Sequence, residues 1–293
     1  MNHSKIRDLG ELSGPMAIFG GLYGNLEALN AFLDLADRLK IPSDHIIQTG
    51  DVVAYCADPL VCVEQIMTRN FHSIKGNVEE SLAFNADDCG CGFEEGTACD
   101  VLSNQWYAYV DSNIGTEHRE WMSELPDQLS FQYHGRRVRV LHGSSSEVNE
   151  FIFPSTSEAR YESMFQETGA DIIIAGHSGL PYTLNMGDRI WHNSGALGMP
   201  ANDGTPRVWA SLLVPDRQSV KIEHLALSYD YQSAHLKMVQ AGLPNGYADA
   251  LKSGLWPSLD VLPEKEKTAT GTPIAFEGDG EPRSLQETPV GII

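Results

Sequence analysis

Basic residues are scarce in this chain: 20 Lys and Arg stand against 40 Asp and Glu, a formal net charge of −20 at pH 7. Proteins that grip a nucleic-acid backbone draw their affinity from clustered Lys and Arg, and no basic run offsets the deficit, so nucleic acid is not an expected partner. Long hydrophobic runs are missing too. No stretch approaches the roughly eighteen apolar residues of a membrane span, and the opening MNHSKIRDLGELSG lacks the apolar centre of a signal peptide; no membrane partner is expected, and the cytoplasm is the expected location. Cysteine is sparse, at five residues, and an odd count in a cytosolic chain argues against a disulfide framework. Cys89, Cys91 and Cys99 lie close together and could hold a metal or act as a redox pair, but their spacing matches no zinc pattern, and a structural role or unpaired buried thiols, which behave as small hydrophobes, is expected instead.

What is present reads as an α/β protein. Residues 1–15 form a polar leader, and strand character begins at Met16 with MAIFGG. Helical spacing follows in NLEALNAFLDLADRL, capped by Asn25. HIIQTGD gives a strand ending at Gly50 and Asp51, Pro59 opens a second helix, and FHSIKGN gives a third strand. This alternation implies parallel pairing, with functional groups on the loops after the strands. Residues 79–127 read as a helical, Cys-containing insertion. LSFQYHG with RRVRVLHG forms a hairpin, and DIIIAGH, RIWHNSG and RVWASLLVP add strands. After the domain at 16–262, residues 263–293 are rich in Gly, Pro, Thr and Glu with little periodicity, and a mobile tail is expected.

Four strand-to-loop junctions each deliver one metal-ligating side chain beside a glycine: Asp51 after Gly50, Asn77 after Gly76, His142 before Gly143 and His177 after Gly176. Oxygen and imidazole donors in that mixture suit Mn, Fe or Zn. By contrast, the turn from Phe19 to Asn25 carries no Asp, Glu, His, Cys, Ser or Lys.

The series IFGGLYGN, GDVVAYCADP, GNVE, LHGSSSEVNEFIF, AGHSGLP and HNSGALGMP resembles the calcineurin-like metallophosphoesterase superfamily, and within it the small bacterial phosphodiesterase branch. The resemblance covers roughly residues 16–225. It implies a four-layered αββα sandwich, α/β in class or α+β in some schemes, holding two metal ions. Asp51 would bridge them, and Asn77, His142 and His177 would complete the second site. For the first site the family has Asp and His where this chain has Gly21 and Tyr23, and a further His where it has Gly179, so only Asp51 remains of that set. The family's Asn-His-Asp or Asn-His-Glu element reads Asn77, Val78, Glu79, and Val78 transfers no proton. The expectation is one divalent transition ion per chain, with Tyr23, Cys56, Cys89 and Cys91 as possible substitute ligands.

Two functions follow. One is a metal-dependent phosphodiesterase or phosphatase of a small phosphorylated molecule, with Asp51, Asn77, His142 and Glu79 serving catalysis. The other is a degenerate relative that binds metal, ligand or partner without turnover. Tyr55 and Asp58 match a loop that is mainly structural in the family, Asn149 and Glu150 either meet substrate or cap a helix, and strand packing is expected of His192. Oligomeric state and substrate identity are not legible.

Overall fold

The computed structural model describes residues 5–216 and 219–276. In chain order the elements are β1 (Ile6–Leu12), β2 (Met16–Phe19), α1 (Leu26–Arg38), β3 (Ile46–Gln48), α2 (Pro59–Thr68), β4 (His72–Ser73), α3 (Asn77–Ala83), α4 (Ala98–Asn113), α5 (Thr116–Glu124), β5 (Gln128–Tyr133) and β6 (Arg136–Val140). Then come α6 (Glu158–Thr168), β7 (Ile172–Ala175), β8 (Pro181–Met186), β9 (Arg189–Ser194), β10 (Val208–Asp216), β11 (Ser219–Leu227), α7 (Tyr231–Gln240), α8 (Asn245–Ser253) and α9 (Glu264–Thr268).

Two mixed sheets result, ordered β1-β5-β6-β7-β9-β8 and β11-β10-β2-β3-β4. Alternation along the strands explains why they stack, since successive side chains leave opposite faces of a sheet. Met16 and Ile18 of β2 meet Leu129 of β5, Val138 of β6 and Ile172 and Ile174 of β7 in a core between the sheets. Ala17 and Phe19 point the other way, into a core shared with Leu29 and Phe32 of α1, Val63 of α2, Trp106 of α4 and Leu251 of α8. On the far side, Ile173 and Trp191 pack against Tyr161 and Phe165 of α6. The layering is therefore αββα, as the motifs lead one to expect.

Local chemistry fixes the turns. Asn25 accepts from the Ala28 N–H at 3.1 Å, capping α1 as expected, and its amide also donates to the Gly198 carbonyl at 3.0 Å. The β5–β6 hairpin turns through His134 and Gly135, both at positive φ, which matches the twist of the strands it joins.

Both chain ends depart from expectation. Within the stretch taken as a polar leader, Ile6–Leu12 forms β1, paired parallel with β5. It is an edge strand with most of its side chains in solvent, so its pattern carries no apolar signal. Within the stretch taken as a mobile tail, residues 263–276 are seated on the body. Buried Glu266 accepts from the Ser155 N–H at 2.9 Å and hydroxyl at 2.6 Å, Asn202 donates to Thr270 at 3.0 Å, and Phe276 stacks on His224 with centroids 3.9 Å apart. Polar clasps of this kind leave no periodicity. The remainder of the expected tail, 277–293, lies outside the described residues.

Candidate metal centre

The four strand-end residues converge. Asp51 lies three residues beyond β3, Asn77 opens α3 just after β4, His142 follows β6 by two residues and His177 follows β7 by two. Asp51 and His177 are held at φ 60° and 57°, in the left-handed region that is uncommon for non-glycine residues. His142 Nε2 is the meeting point: Asp51 Oδ2 lies at 3.2 Å, Asn77 Oδ1 at 3.1 Å and His177 Nδ1 at 3.2 Å. Ligand atoms of Asp51, His142 and His177 all fall within 4.8 Å of one another.

The orientation of these groups shows that they fit a cation. His142 Nδ1 sits 2.6 Å from the Thr49 carbonyl, which can only accept, so Nδ1 carries the proton. A neutral His142 then turns a lone pair at Nε2 toward its neighbours. Asn77 Nδ2 donates to the Cys89 carbonyl at 2.9 Å, which fixes the amide so that Oδ1 faces the cluster. Lone pairs of a ring nitrogen, a carboxylate and an amide oxygen therefore point at one another in a buried place, and only a cation or an added proton separates them. The titration directions agree. Burial works against the charge on His142, but Asp51 outweighs it and holds the ring above its ordinary value. Burial likewise opposes ionisation of Asp51, and the His142 ring more than offsets it, so Asp51 lies below the usual carboxylate range. Burial, then the neighbouring His142, pushes His177 down to about 3, leaving it neutral and ready to donate its lone pair.

Glu79, expected to share in catalysis, is placed differently. Fully buried, its carboxylate accepts from the N–H groups of Asp51 at 2.7 Å, Val52 at 2.8 Å and Gly76 at 2.9 Å. Burial, followed by the Asp51 charge, raises its pKa to about 7. Three backbone donors occupy both oxygens, so Glu79 positions the Asp51 and Asn77 loops and is not placed to exchange protons with a substrate.

Residues 17–214 match the calcineurin-like phosphoesterase superfamily domain. The chain belongs to that superfamily. It is 28% identical to an uncharacterised protein of Methanocaldococcus jannaschii over 262 residues, covering 82% of this chain and 98% of the relative. A protein of Methanothermobacter thermautotrophicus described as a probable metallophosphoesterase is 28% identical over 107 residues, 36% of this chain and 57% of the relative. Among solved structures, a hypothetical protein of Pyrococcus horikoshii OT3 superposes with a TM-score of 0.70 at 19% identity, covering 84% of this chain and 100% of that one. A metallophosphoesterase from Sphaerobacter thermophilus gives 0.63 at 23% identity, covering 83% and 100%. At these identities the superpositions establish the shared fold.

The space beside Gly21 is filled. A Cβ on Gly21 would lie 2.2 Å from the Tyr23 ring. Tyr23 is buried, edge-on to Tyr55 with centroids 4.8 Å apart, and burial followed by the Asp51 charge raises its pKa well above the ordinary phenol value. It packs as a neutral phenol, which disfavours the phenolate that ligation would need. Gly179 has φ +69°, and a Cβ there would meet Trp256 at 3.4 Å.

The candidate thiolates also fall away. Cys56 is buried with its sulfur 3.8 Å from the Gly198 carbonyl, and burial pushes its pKa up. Cys89 and Cys91 are joined in a disulfide, the paired state that the sequence offered beside the favoured structural or unpaired thiols. Gly90, at φ +63°, turns the chain between them and brings their Cα atoms to 5.3 Å, a closeness that odd-count arithmetic does not anticipate. Their loop still serves the centre, since Asn77 Nδ2 lies 3.3 Å from Cys91 Sγ.

Other candidates are structural. Tyr55 stacks on Tyr247 at 4.3 Å, Asp58 pairs with Lys237 at 2.6 Å, and His192 bonds Thr183 and Ser211 within the sheets. Asn149 neither caps a helix nor stands free: it donates to the Gly90 carbonyl at 2.9 Å, and Glu150 pairs with Arg160. What sequence reasoning missed is a wall of aromatic side chains beside Asp51 and His177, including Phe93, Phe151, Tyr247 and Trp256. Phe151 adjoins the Asn149–Glu150 pair in the motif, but Trp256 comes from beyond α8, and no periodic signal links it to the site.

Proposed function

We propose that this superfamily member is a metal-dependent phosphoesterase, a phosphodiesterase or phosphatase of a small phosphorylated substrate, built around one divalent transition ion. Mn, Fe or Zn would be held by Asp51, Asn77, His142 and His177, a set of oxygen and imidazole donors suited to those metals. The observation that carries this is the convergence of lone pairs on His142 Nε2 with Nδ1 committed to the Thr49 carbonyl. The motifs favour the small bacterial phosphodiesterase branch, and the Tyr23-filled first site supports a divergent member of it.

When bound, such an ion supplies Lewis acidity and an activated water for attack on phosphorus. The chain's own residues do the rest. The Thr49 carbonyl holds the His142 tautomer, the Cys89 carbonyl holds the Asn77 amide, and Glu79 fixes both strand-end loops, so the donor set is preorganised.

One observation favours the second function, binding without turnover: Tyr23 occupies the space in which the resembling family places ligands of its first ion. Hydrolysis of bis(p-nitrophenyl) phosphate with added Mn separates the two. Turnover that is lost in Asp51→Ala supports the phosphoesterase; an intact metal load without turnover favours the binder.

A further inference from the structure

A cavity of about 70 Å³, continuous with a wider cleft that is open to solvent, lies against Asp51 and His177. Its walls are apolar and aromatic. Phe151 lies on the His177 ring with centroids 4.2 Å apart, Phe93 stacks beyond Phe151 at 6.4 Å, and Tyr55, Tyr247 and Trp256 face the same space. Among the described residues no lysine or arginine lines it.

We infer that this cavity selects a singly charged phosphodiester carrying a flat, apolar or aromatic substituent, an inference that rests on the phosphoesterase function proposed above. Charge decides between ester classes. Asp51 and one divalent ion sum to a single positive charge, which a diester monoanion balances. A phosphomonoester dianion or a nucleoside polyphosphate would leave negative charge uncompensated among aromatic walls, where burying it is costly. Shape decides the substituent, because aromatic rings offer offset or edge contacts to a planar group, and the lining is more apolar than polar. The hydrolysis balances with water alone: its oxygen forms the new bond to phosphorus, the bond to the leaving alcohol breaks, and a water proton ends on that alcohol. The product monoester gains a second negative charge once the other water proton passes to solvent, as its second pKa of about 6 allows at neutral pH, so the same mismatch that excludes monoesters expels it.

Calorimetric titration of the metal-loaded protein with diphenyl phosphate, dimethyl phosphate and phenyl phosphate tests this without turnover. Diphenyl phosphate should bind about tenfold or more tighter than either of the others, the scale expected of ring–ring contacts and hydrophobic burial. Phe93→Ala should erode that margin while leaving dimethyl phosphate binding unchanged, which also reports a folded protein. Equal affinities across the three ligands, or tighter binding of phenyl phosphate, would overturn the inference. The phosphoesterase function fails separately: selective binding of diphenyl phosphate with no hydrolysis of bis(p-nitrophenyl) phosphate would sink the enzyme and keep the ligand class. Hydrolysis of that diester by a metal-loaded protein that binds dimethyl phosphate as tightly as diphenyl phosphate would keep the enzyme and sink the ligand class.

Discussion

At the scale of single residues, the centre is a problem of protons. In the metal-free protein the conflict between His142 Nε2, Asp51 Oδ2 and Asn77 Oδ1 is relieved by protonating His142, and its pKa is raised for that reason, Asp51 outweighing burial. A raised histidine contributes stability to the metal-free fold below its unfolded value, near 6.5, and loses that contribution as pH rises through the folded value. A metal ion competes with the same proton. Stabilisation by Mn or Zn, read as the rise in Tm on adding metal, should therefore grow from about pH 6 to about pH 8, a range that spans histidine titration; a rise in Tm that shrinks with pH would contradict this. Glu79 offers a second test. Glu79→Gln keeps the volume but turns an amide N–H₂ against backbone donors now held at 2.7–2.9 Å. The expected loss is about 1–3 kcal/mol in urea denaturation, together with weaker metal binding, since both ligand loops depend on this carboxylate. Unchanged stability would show that the loops hold themselves.

At the scale of elements, the turn between β2 and α1 is committed to packing. The Tyr23 ring fills the space beside Gly21, so Gly21→Asp alone should lower stability by about 1–3 kcal/mol through overpacking and add no second ion. Adding Tyr23→His should recover part of that loss, because it removes the ring that the new side chain meets. A single Gly21→Asp that is neutral in thermal denaturation would contradict the packing account. Residues such as Asp51, Asn77, His142 and His177 were legible in the sequence because each ends a buried strand beside a glycine, a pattern set by local backbone geometry. The hidden parts have no local pattern. The β1 edge strand looks polar because one of its faces meets solvent, the role of Glu79 depends on backbone groups 27 and 28 residues away, and the aromatic wall draws on Phe93, Phe151 and Trp256 from three distant segments.

At the scale of the whole molecule, the chain closes on itself through the segment taken from sequence as a tail. Glu266 of α9 accepts from both the N–H and the hydroxyl of Ser155, a short distance in sequence from Phe151 and Phe153. Glu266→Ala leaves that part-buried N–H without its partner and should cost about 1 kcal/mol, or a drop in Tm of about 2–4 °C in a protein of this size. A Tm that does not move would mean that α9 contributes nothing to the closed fold. No helix among the described residues is long and apolar enough to cross a membrane, and a formal net charge of −20 gives little attraction to a phosphate backbone. The central claim is a single ion in a four-residue set, and the direct measurement is metal content by elemental analysis of the protein after equilibration with Mn or Zn, beside Asp51→Ala. About one ion per chain, lost in Asp51→Ala, is the predicted result; two ions per chain, or one retained when Asp51 is removed, would contradict it.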